Sequence, residues 1–201
     1  MLTEAARGCF PPADGDLEVV PSSGGWEVVT AFTGHCVVQT ALSRAEILGA
    51  GGDGLGGAMA PRFLLWLAGA EGWVGSQDLL LAGWGAGAVP PLGSVDREQH
   101  SRVRRARQLR HDVRVYVNDY GLACLGRGVA GRWELSVELE PASRGRGHGR
   151  VLIDQVRRSV PSGEPVFAEV APGNAASLRA FLACGFVPIG AEVLIKPGRR
   201  A

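Results

Sequence analysis

The hydrophobic pattern of the chain changes character near residue 96. Before that point, short apolar runs are separated by glycine-rich breaks, a pattern typical of short strands and helices joined by turns. Ser43 and Pro61 stand at the starts of two helical stretches, where an N-cap serine and a first-turn proline are favoured. The predicted elements are two strands within 26–40, helices over 43–50 and 61–70, and a strand over 76–85.

After residue 96 the periodicity tightens, and each stretch predicts one element. The tetrapeptide Asn118-Asp119-Tyr120-Gly121 predicts a hairpin turn between two apolar runs. The predicted order is a helix over 96–110, a hairpin over 112–128, a strand over 131–141, a helix ending near 159, a strand over 164–174, a helix over 175–184 and a strand over 187–197. This order predicts a mixed sheet with helices.

The stretch "PASRGRGHGRVL" places glycines at 145, 147 and 149, directly before a helix. The first turn of a helix leaves backbone N–H groups unpaired at the positive end of the helix dipole, and glycine lets a ligand approach the main chain closely. The stretch therefore predicts an anion site. It lacks the Gly-Lys-Ser/Thr of a P-loop, and its spacing differs from the Rossmann fingerprint. In a chain with 30 glycines among 201 residues, this motif alone is a weak signal.

The glycines belong to a longer pattern. A strand ends at Glu140-Pro141, Arg144-x-x-Gly147-x-Gly149 opens a helix, a further strand runs into Asn174, and Gly185-Phe186 closes the next helix. This arrangement resembles the GNAT superfamily of acyl-CoA N-acyltransferases over roughly residues 96–197.

The resemblance implies an α/β (α+β) fold with a mixed, mostly antiparallel sheet that is splayed at its centre and flanked by helices. Residues 91–201 would form the acyltransferase domain, and 85–94 is the predicted linker. Residues 1–90 are not matched. They are expected to form an extra α/β segment, as an extension, a degenerate copy of the fold or a substrate-binding cap.

The resemblance also implies acetyl-CoA as co-substrate, held between two splayed strands. Its pyrophosphate would contact the main-chain amides of 145–150, its pantetheine would pair with 137–139, and Asn174 would contact the pantetheine arm. The ring of His148 is expected to point outward while its amide binds. The cofactor-contacting positions are Val137, Glu138, Leu139, Arg144, Gly145, Arg146, Gly147, His148, Gly149, Arg150, Asn174 and Phe181.

Two carboxylates are candidates for the base that deprotonates the acceptor amine. Glu169 stands five residues before Asn174, where ribosomal-protein alanine N-acetyltransferases of this superfamily carry their base; its alternative role is the exposed end of a strand. Glu138 is the second candidate. It alternates along one strand face with Glu134 and Ser136, and carboxylates in a central strand are anomalous unless they line a cleft.

The sequence departs from the family at Phe181, seven residues after the asparagine, where many members have a tyrosine that protonates the departing thiolate. Phe181 lies on an apolar stripe with Leu178 and Leu182, which predicts core packing. Tyr116 or Tyr120 could substitute from the hairpin. A thiolate could also leave unprotonated, since a thiol pKa near ~8.5 makes it a fair leaving group.

Composition argues against nucleic-acid binding and membrane association. A formal net charge of +1 gives no global field for nucleic acid or a membrane surface. The basic run 102–110 could grip RNA, but Val103, Ala106 and Leu109 form an apolar stripe, so its arginines are expected to be a solvated face. No stretch approaches the roughly 18 apolar residues of a membrane span.

The four cysteines show no metal-ligand spacing, and Cys184 is expected to be a core residue rather than a nucleophile. Scattered reduced thiols and the lack of a signal-peptide pattern favour the cytoplasm.

Together these observations predict an acetyl-CoA-dependent N-acetyltransferase that acts by direct attack in a ternary complex, without a metal. The expected acceptor is a small-molecule amine or a peptide N-terminus, and the expected state is a monomer or homodimer. Two alternatives stay open: a catalytically silent acyl-CoA-binding or regulatory protein, and an acyltransferase acting on aminoacyl-tRNA.

Overall fold

The computed structural model describes residues 1–22, 25–88, 94 and 96–198. In chain order the elements are α1 (Leu2–Ala6), β1 (Leu17–Pro21), β2 (Glu27–Phe32), β3 (His35–Thr40), α2 (Arg44–Gly49), α3 (Pro61–Ala68), β4 (Trp73–Val74), β5 (Asp78–Trp84), α4 (Ser101–Leu109), β6 (His111–Asn118), β7 (Gly121–Arg127), β8 (Trp133–Leu139), α5 (His148–Arg157), β9 (Pro165–Val170), α6 (Ala175–Ala183) and β10 (Val187–Lys196), with short 3-10 turns at Gly57–Met59, Val129–Gly131 and Pro141–Ser143.

The chain forms two compact units. Unit 1 comprises Met1–Leu80 and the chain from Ile189 onward, and unit 2 comprises Leu81–Pro188. The boundary expected after residue 90, within the predicted linker, lies outside the described residues.

Unit 1 is built on a sheet with the strand order β1-β3-β2-β10, to which β4 adds by pairing with β10. β1 and β3 are parallel, whereas β2 pairs antiparallel with both β3 and β10. Its core is apolar side chains from the sheet together with α2 and α3, among them Val29, Val193, Ile47 and Phe63.

α2 begins at the predicted N-cap, Ser43. The Ser43 hydroxyl oxygen accepts a hydrogen bond from the Glu46 backbone N–H, and the Ser43 backbone N–H donates to Glu46 Oε2 at 2.8 Å, which completes a capping box. The prediction for this helix start is confirmed.

Replacing Ser43 with alanine is expected to lower the free energy of unfolding by about 1 kcal/mol, because the N–H of Glu46 loses its acceptor. Urea denaturation of the two proteins measures the difference. Glu46→Gln is the control, since glutamine keeps the reciprocal bond and should change stability little. An unchanged midpoint for Ser43→Ala would show that water replaces the cap.

Unit 2 contains the glycine motif and has the strand order β5-β9-β8-β7-β6, with β5 contributing from Leu81 onward. β6 and β7 form an antiparallel hairpin, β7 and β8 are antiparallel over their whole length, and β8 and β9 are parallel. Helix α4 packs on one face of this sheet, and α5 packs on the other with α6 beside it. The predicted fold class, a mixed and mostly antiparallel sheet flanked by helices, is confirmed.

The predicted elements all occur, with shifted ends. α4 begins at Ser101 rather than near 96, because His100 acts as its N-cap and Nδ1 of His100 accepts from the Arg102 N–H. α1, β1 and β4 are absent from the sequence prediction, since elements of five residues or fewer carry little periodic signal. In the described part of the chain, no helix is both long and apolar enough to cross a membrane.

Candidate active site

The backbone of β8 has one paired edge and one largely open edge. Glu140 N–H donates to Tyr120 O and Gly128 N–H donates to Arg132 O, so the even-numbered residues of β8 direct their main-chain groups toward β7. The N–H and C=O groups of Val137 and Leu139 therefore point toward β9. Within the described residues, β9 is in register with β8 only at Trp133 and Glu134, so the two strands diverge beyond that point.

A cleft of about 880 Å³ opens beside the diverging part of β8, and we call it the binding cleft. It is lined on one side by Leu139 and Gly149, next to α5, and on the other by Glu138 and Arg102, where α4 lies. The binding cleft thus reaches side chains from both faces of β8. Two molecules entering from opposite faces could meet at the open edge of the strand.

The glycine motif forms the mouth of the binding cleft. Gly145 and Gly147 have φ of 73° and 83°, in the left-handed region that favours glycine, and Gly147 is the N-cap of α5. A Cβ added at Gly149 would lie 3.6 Å from both Leu139 Cδ1 and Ala180 Cβ, so α5, β8 and α6 converge there. The first turn of α5, where helical N–H groups lack intrahelical acceptors, begins at this mouth, and the Arg150 N–H there donates to Gly147 O at 3.0 Å.

The charges along the binding cleft are mostly positive. Arg144, Arg150 and Arg179 line it from the loop, α5 and α6, and Arg144 Nε donates to Leu139 O at 3.2 Å. Among the described residues that line it, Glu138 is the only carboxylate. Guanidinium groups beside a helix N-terminus suit a phosphate-bearing ligand.

The binding cleft brings together most of the positions expected to contact a cofactor. Those that line it are Val137, Glu138, Leu139, Arg144, Gly145, Gly147, Gly149, Arg150 and Asn174. Asn174 also caps α6, because its Oδ1 accepts from Ser177 N–H at 3.1 Å. Arg146, His148, Phe181 and Glu169 do not line it.

The ring of His148 does not point outward as expected. It stacks on Tyr120 with centroids 3.6 Å apart and planes 11° apart, because the β6–β7 turn lies directly beside the glycine loop. Tyr120 is thereby held outside the binding cleft, and Tyr116 is buried. Neither tyrosine reaches the cleft lining.

Phe181 is buried and packs edge-on against Phe186 at 5.0 Å, so the expectation of core packing is confirmed. Leu182, expected on the same buried stripe, is exposed and lines the binding cleft.

The carboxylates of β8 are explained by arginines that sequence spacing does not reveal. Glu134 is 4% exposed, and its oxygens accept from Arg110 Nε at 2.7 Å and Arg132 Nε at 2.9 Å. Burial alone would raise the pKa of the Glu134 carboxyl, but the charges of Arg132 and Arg110 and their hydrogen bonds hold this pKa below its ordinary value. Arg110 Nη1 also donates to Ser136 Oγ at 3.1 Å.

The two candidate bases differ in their surroundings. Glu169 Oε1 accepts from Arg132 Nη2 at 2.9 Å, and its side chain is 15% exposed. Glu138 Oε2 accepts from Arg102 Nε at 2.7 Å, and its side chain is 36% exposed and lines the binding cleft. The carboxylate within reach of a bound molecule is therefore that of Glu138.

The cysteines do not supply a nucleophile at this site. Burial raises the pKa of the Cys184 thiol to about 11, and its Sγ donates to Arg150 O at 3.6 Å, so the thiol is protonated at neutral pH. Cys36 and Cys124 are also buried, and Cys9 is exposed. In the described ranges, no group of three metal-ligating side chains comes together.

Several arginines of α4 are engaged in ion pairs or hydrogen bonds with neighbouring residues. Val103 and Ala106 are buried as expected. Arg107 pairs with Asp96 and Glu98, and Arg104 Nη1 donates to Gln99 O at 2.6 Å. These contacts satisfy charges that an RNA-binding surface would present to phosphates.

Comparison with known proteins gives weak similarity. No family model matches the sequence, and no curated protein matches it. Similar solved structures include an acetyltransferase from the GNAT family of Colwellia psychrerythraea (TM-score 0.42, 11% identity, 62% of this chain and 57% of that chain), a GNAT-family protein from Novosphingobium aromaticivorans (0.40, 19%, 64% and 69%) and a GCN5-related N-acetyltransferase from Kribbella flavida (0.38, 13%, 65% and 61%).

All three are described as belonging to the family that the sequence motifs resemble. The chain spans 57% of the length of the first of them. Because the TM-scores are about 0.4, we base the function on the geometry of the site itself.

Proposed function

We propose that this protein is an acyl-CoA-dependent N-acyltransferase that transfers an acetyl group to a primary amine by direct attack in a ternary complex. The observation that carries the proposal is the open edge of β8 at Val137 and Leu139, beside the glycine-capped N-terminus of α5. An acyl-CoA has the matching parts: a pyrophosphate for the helix N-terminus and an amide-bearing pantetheine arm that can pair with a strand edge.

The cofactor would lie with its pyrophosphate on the N–H groups of the loop and first turn of α5, near Arg144 and Arg150. Its pantetheine amides would bond the outward N–H groups of Val137 and Leu139 and the C=O of Val137, as an added strand does, while the C=O of Leu139 accepts from Arg144. The thioester carbonyl would then meet a backbone N–H of β8, which would stabilise the negative charge that develops on its oxygen.

Glu138 is the base in this proposal, ahead of Glu169, because Glu138 lines the binding cleft and Glu169 does not. Both carboxylates accept from an arginine, Arg102 in one case and Arg132 in the other. An amine with a pKa near ~10 is mostly protonated at pH 7, and its deprotonation costs about 4 kcal/mol. Glu138 accepts that proton directly or through a water. The amine nitrogen attacks the thioester carbon, the C–S bond breaks, the sulfur leaves as a thiolate, and the second proton of the nitrogen passes to solvent.

No tyrosine is needed as general acid in this scheme. A thiolate whose conjugate thiol has a pKa near ~8.5 is a fair leaving group and takes its proton from solvent after release. The buried Phe181 would shape the core behind the site.

Thermal unfolding with and without acetyl-CoA tests cofactor binding. At 100 times its dissociation constant, acetyl-CoA should stabilise the wild type by about 2.7 kcal/mol, seen as a clear rise in Tm. Gly147→Glu should lose this rise, because it places a carboxylate at the phosphate site and strains a residue with φ of 83°.

Gly163→Glu is the matched control for this test. Gly163 has φ of 81° and does not line the binding cleft, so the same substitution carries similar backbone strain but should keep the rise in Tm. An unchanged wild-type Tm at millimolar acetyl-CoA would refute cofactor binding as proposed.

A catalytically silent acyl-CoA-binding protein is the second candidate, favoured by the buried Phe181 in place of the expected tyrosine. Release of free thiol from acetyl-CoA in the presence of a panel of amines distinguishes the two. Thiol release supports the transferase, whereas a Tm rise without any thiol release supports the silent protein.

A further inference from the structure

The two faces of β8 present different chemistry. Leu139 lies on the α5 face, near Gly149 and the glycine loop, where the cofactor phosphates are proposed to bind. Glu138 projects to the opposite face, where it meets Arg102 of α4. The acceptor amine must therefore approach the thioester from the α4 face if the cofactor occupies the loop and the open edge of β8.

Most charged side chains on the α4 face form ion pairs with one another. Glu134 is buried between Arg110 and Arg132, and Glu169 is bonded to Arg132. Arg110 also satisfies the Ser136 hydroxyl. The charged side chains of this face that line the binding cleft, within the described residues, are Glu138 and Arg102.

The guanidinium of Arg102 has hydrogen-bond donors that Glu138 does not use. Its Nε donates to Glu138 Oε2 at 2.7 Å, and within the described residues its two Nη groups do not bond to another side chain. Its side chain is 37% exposed, so the guanidinium is open to a ligand. The edge formed by the two Nη groups matches a carboxylate in a two-bond arrangement.

We propose that the acceptor is an amino acid with a free α-carboxylate, bound as a zwitterion by Glu138 and Arg102; this rests on the proposed function. The acceptor amine lies against Glu138, and its carboxylate lies on the Nη edge of Arg102. In an α-amino acid a single carbon separates these groups, which suits two side chains that are themselves in contact. An amine without a neighbouring carboxylate satisfies only Glu138.

The reaction is balanced without a further reactant. The α-ammonium loses one proton to Glu138, its nitrogen bonds to the acetyl carbon, and the C–S bond breaks as CoA leaves as the thiolate. The second proton passes from the nitrogen to solvent, from which the thiolate is protonated, so the products are the N-acetyl amino acid and CoA. The product keeps its carboxylate on Arg102 but no longer has an ammonium group to pair with Glu138, which favours its release. Arg102 is accordingly a specificity-determining residue, and Glu138 is the catalytic base.

The test compares kcat/KM for free amino acids with kcat/KM for the corresponding amino-acid amides, at saturating acetyl-CoA. The wild type should prefer the best carboxylate over its amide by about ten- to a hundred-fold, the range expected for hydrogen bonds to a charged group. Arg102→Gln should bring this ratio close to one, and acetyl-CoA should still raise its Tm. A purely structural role for Arg102 would lower both rates and leave their ratio unchanged.

Arg104→Gln is the matched control, since Arg104 is exposed on the same helix, bonds to Gln99 O and does not line the binding cleft. It should keep the wild-type ratio. Amides accepted as well as carboxylates, or a preference that survives in Arg102→Gln, would overturn the inference while leaving the proposed function intact. Absence of both a Tm rise and thiol release would instead overturn the proposed function and the inference with it.

Discussion

Replacing Glu138 with glutamine is expected to lower kcat/KM for acetyl transfer by about 10²- to 10⁴-fold at pH 7. The amide keeps the size and the hydrogen bond to Arg102 but cannot take the amine proton. Acetyl-CoA binding should not change, because the proposed cofactor contacts on β8 are the main-chain groups of Val137 and Leu139, which the substitution leaves in place. The deficit should narrow as the pH approaches ~10, where about half of the acceptor amine is already deprotonated.

Two further variants make this result specific. Glu140→Gln, two residues along the chain and outside the lining of the binding cleft, should leave the rate unchanged. Glu169→Gln separates the two candidate bases. If Glu169→Gln loses activity and Glu138→Gln retains it, the base is Glu169 and the assignment of Glu138 is incorrect. Release of CoA thiol gives the rate in every case.

Replacing Arg132 with methionine is expected to lower the free energy of unfolding by about 3–5 kcal/mol at pH 7. Arg132 contacts both Glu134 and Glu169, and Glu134 is almost fully buried. Without Arg132, the charged partner that Glu134 keeps among the described residues is Arg110, in a poorly solvated site. Urea denaturation measures the loss.

The pH dependence of this effect follows from the lowered pKa of Glu134. A carboxyl with a lowered folded pKa stabilises the protein above its unfolded pKa of ~4.3 and loses that contribution as the pH falls through the folded value. The difference between wild type and Arg132→Met should therefore be largest near neutral pH and shrink below pH ~4.

Two controls complete the test. In a Glu134→Gln background, Arg132→Met should cost less stability and show a weaker pH dependence, because the buried carboxylate that Arg132 compensates is absent. Arg158→Met, at an exposed arginine, should change little. Equal stability of Arg132→Met and wild type at pH 7 would show that the network contributes nothing net.

Features encoded by short stretches of sequence could be predicted. The start of α5 follows from glycines that take left-handed conformations, and the β6–β7 turn follows from four consecutive turn-forming residues. The alternating carboxylates of β8 are unusual for a central strand, and the sequence alone reveals that. Because β8 pairs with both β7 and β9, these carboxylates are poorly solvated and require positively charged partners.

Features that depend on distant residues meeting in space could not be predicted in the same way. Glu138 pairs with Arg102, 36 positions earlier, and Glu134 pairs with Arg110, 24 positions earlier. From the sequence, any arginine of α4 could be the partner of a carboxylate on β8. The packing of Val103 and Ala106 on the sheet decides which arginines face that strand. The stacking of His148 on Tyr120 likewise joins a loop to a hairpin turn.

The divergence of β8 from β9 also bears on self-association. Exposed strand edges are templates on which other chains can pair and aggregate. Here the open main chain of Val137 and Leu139 lies inside a cleft, with α4 against one face of the sheet and α5 against the other. To pair with this edge, a strand of another copy would have to enter the cleft, whereas a slender flexible chain fits there more readily.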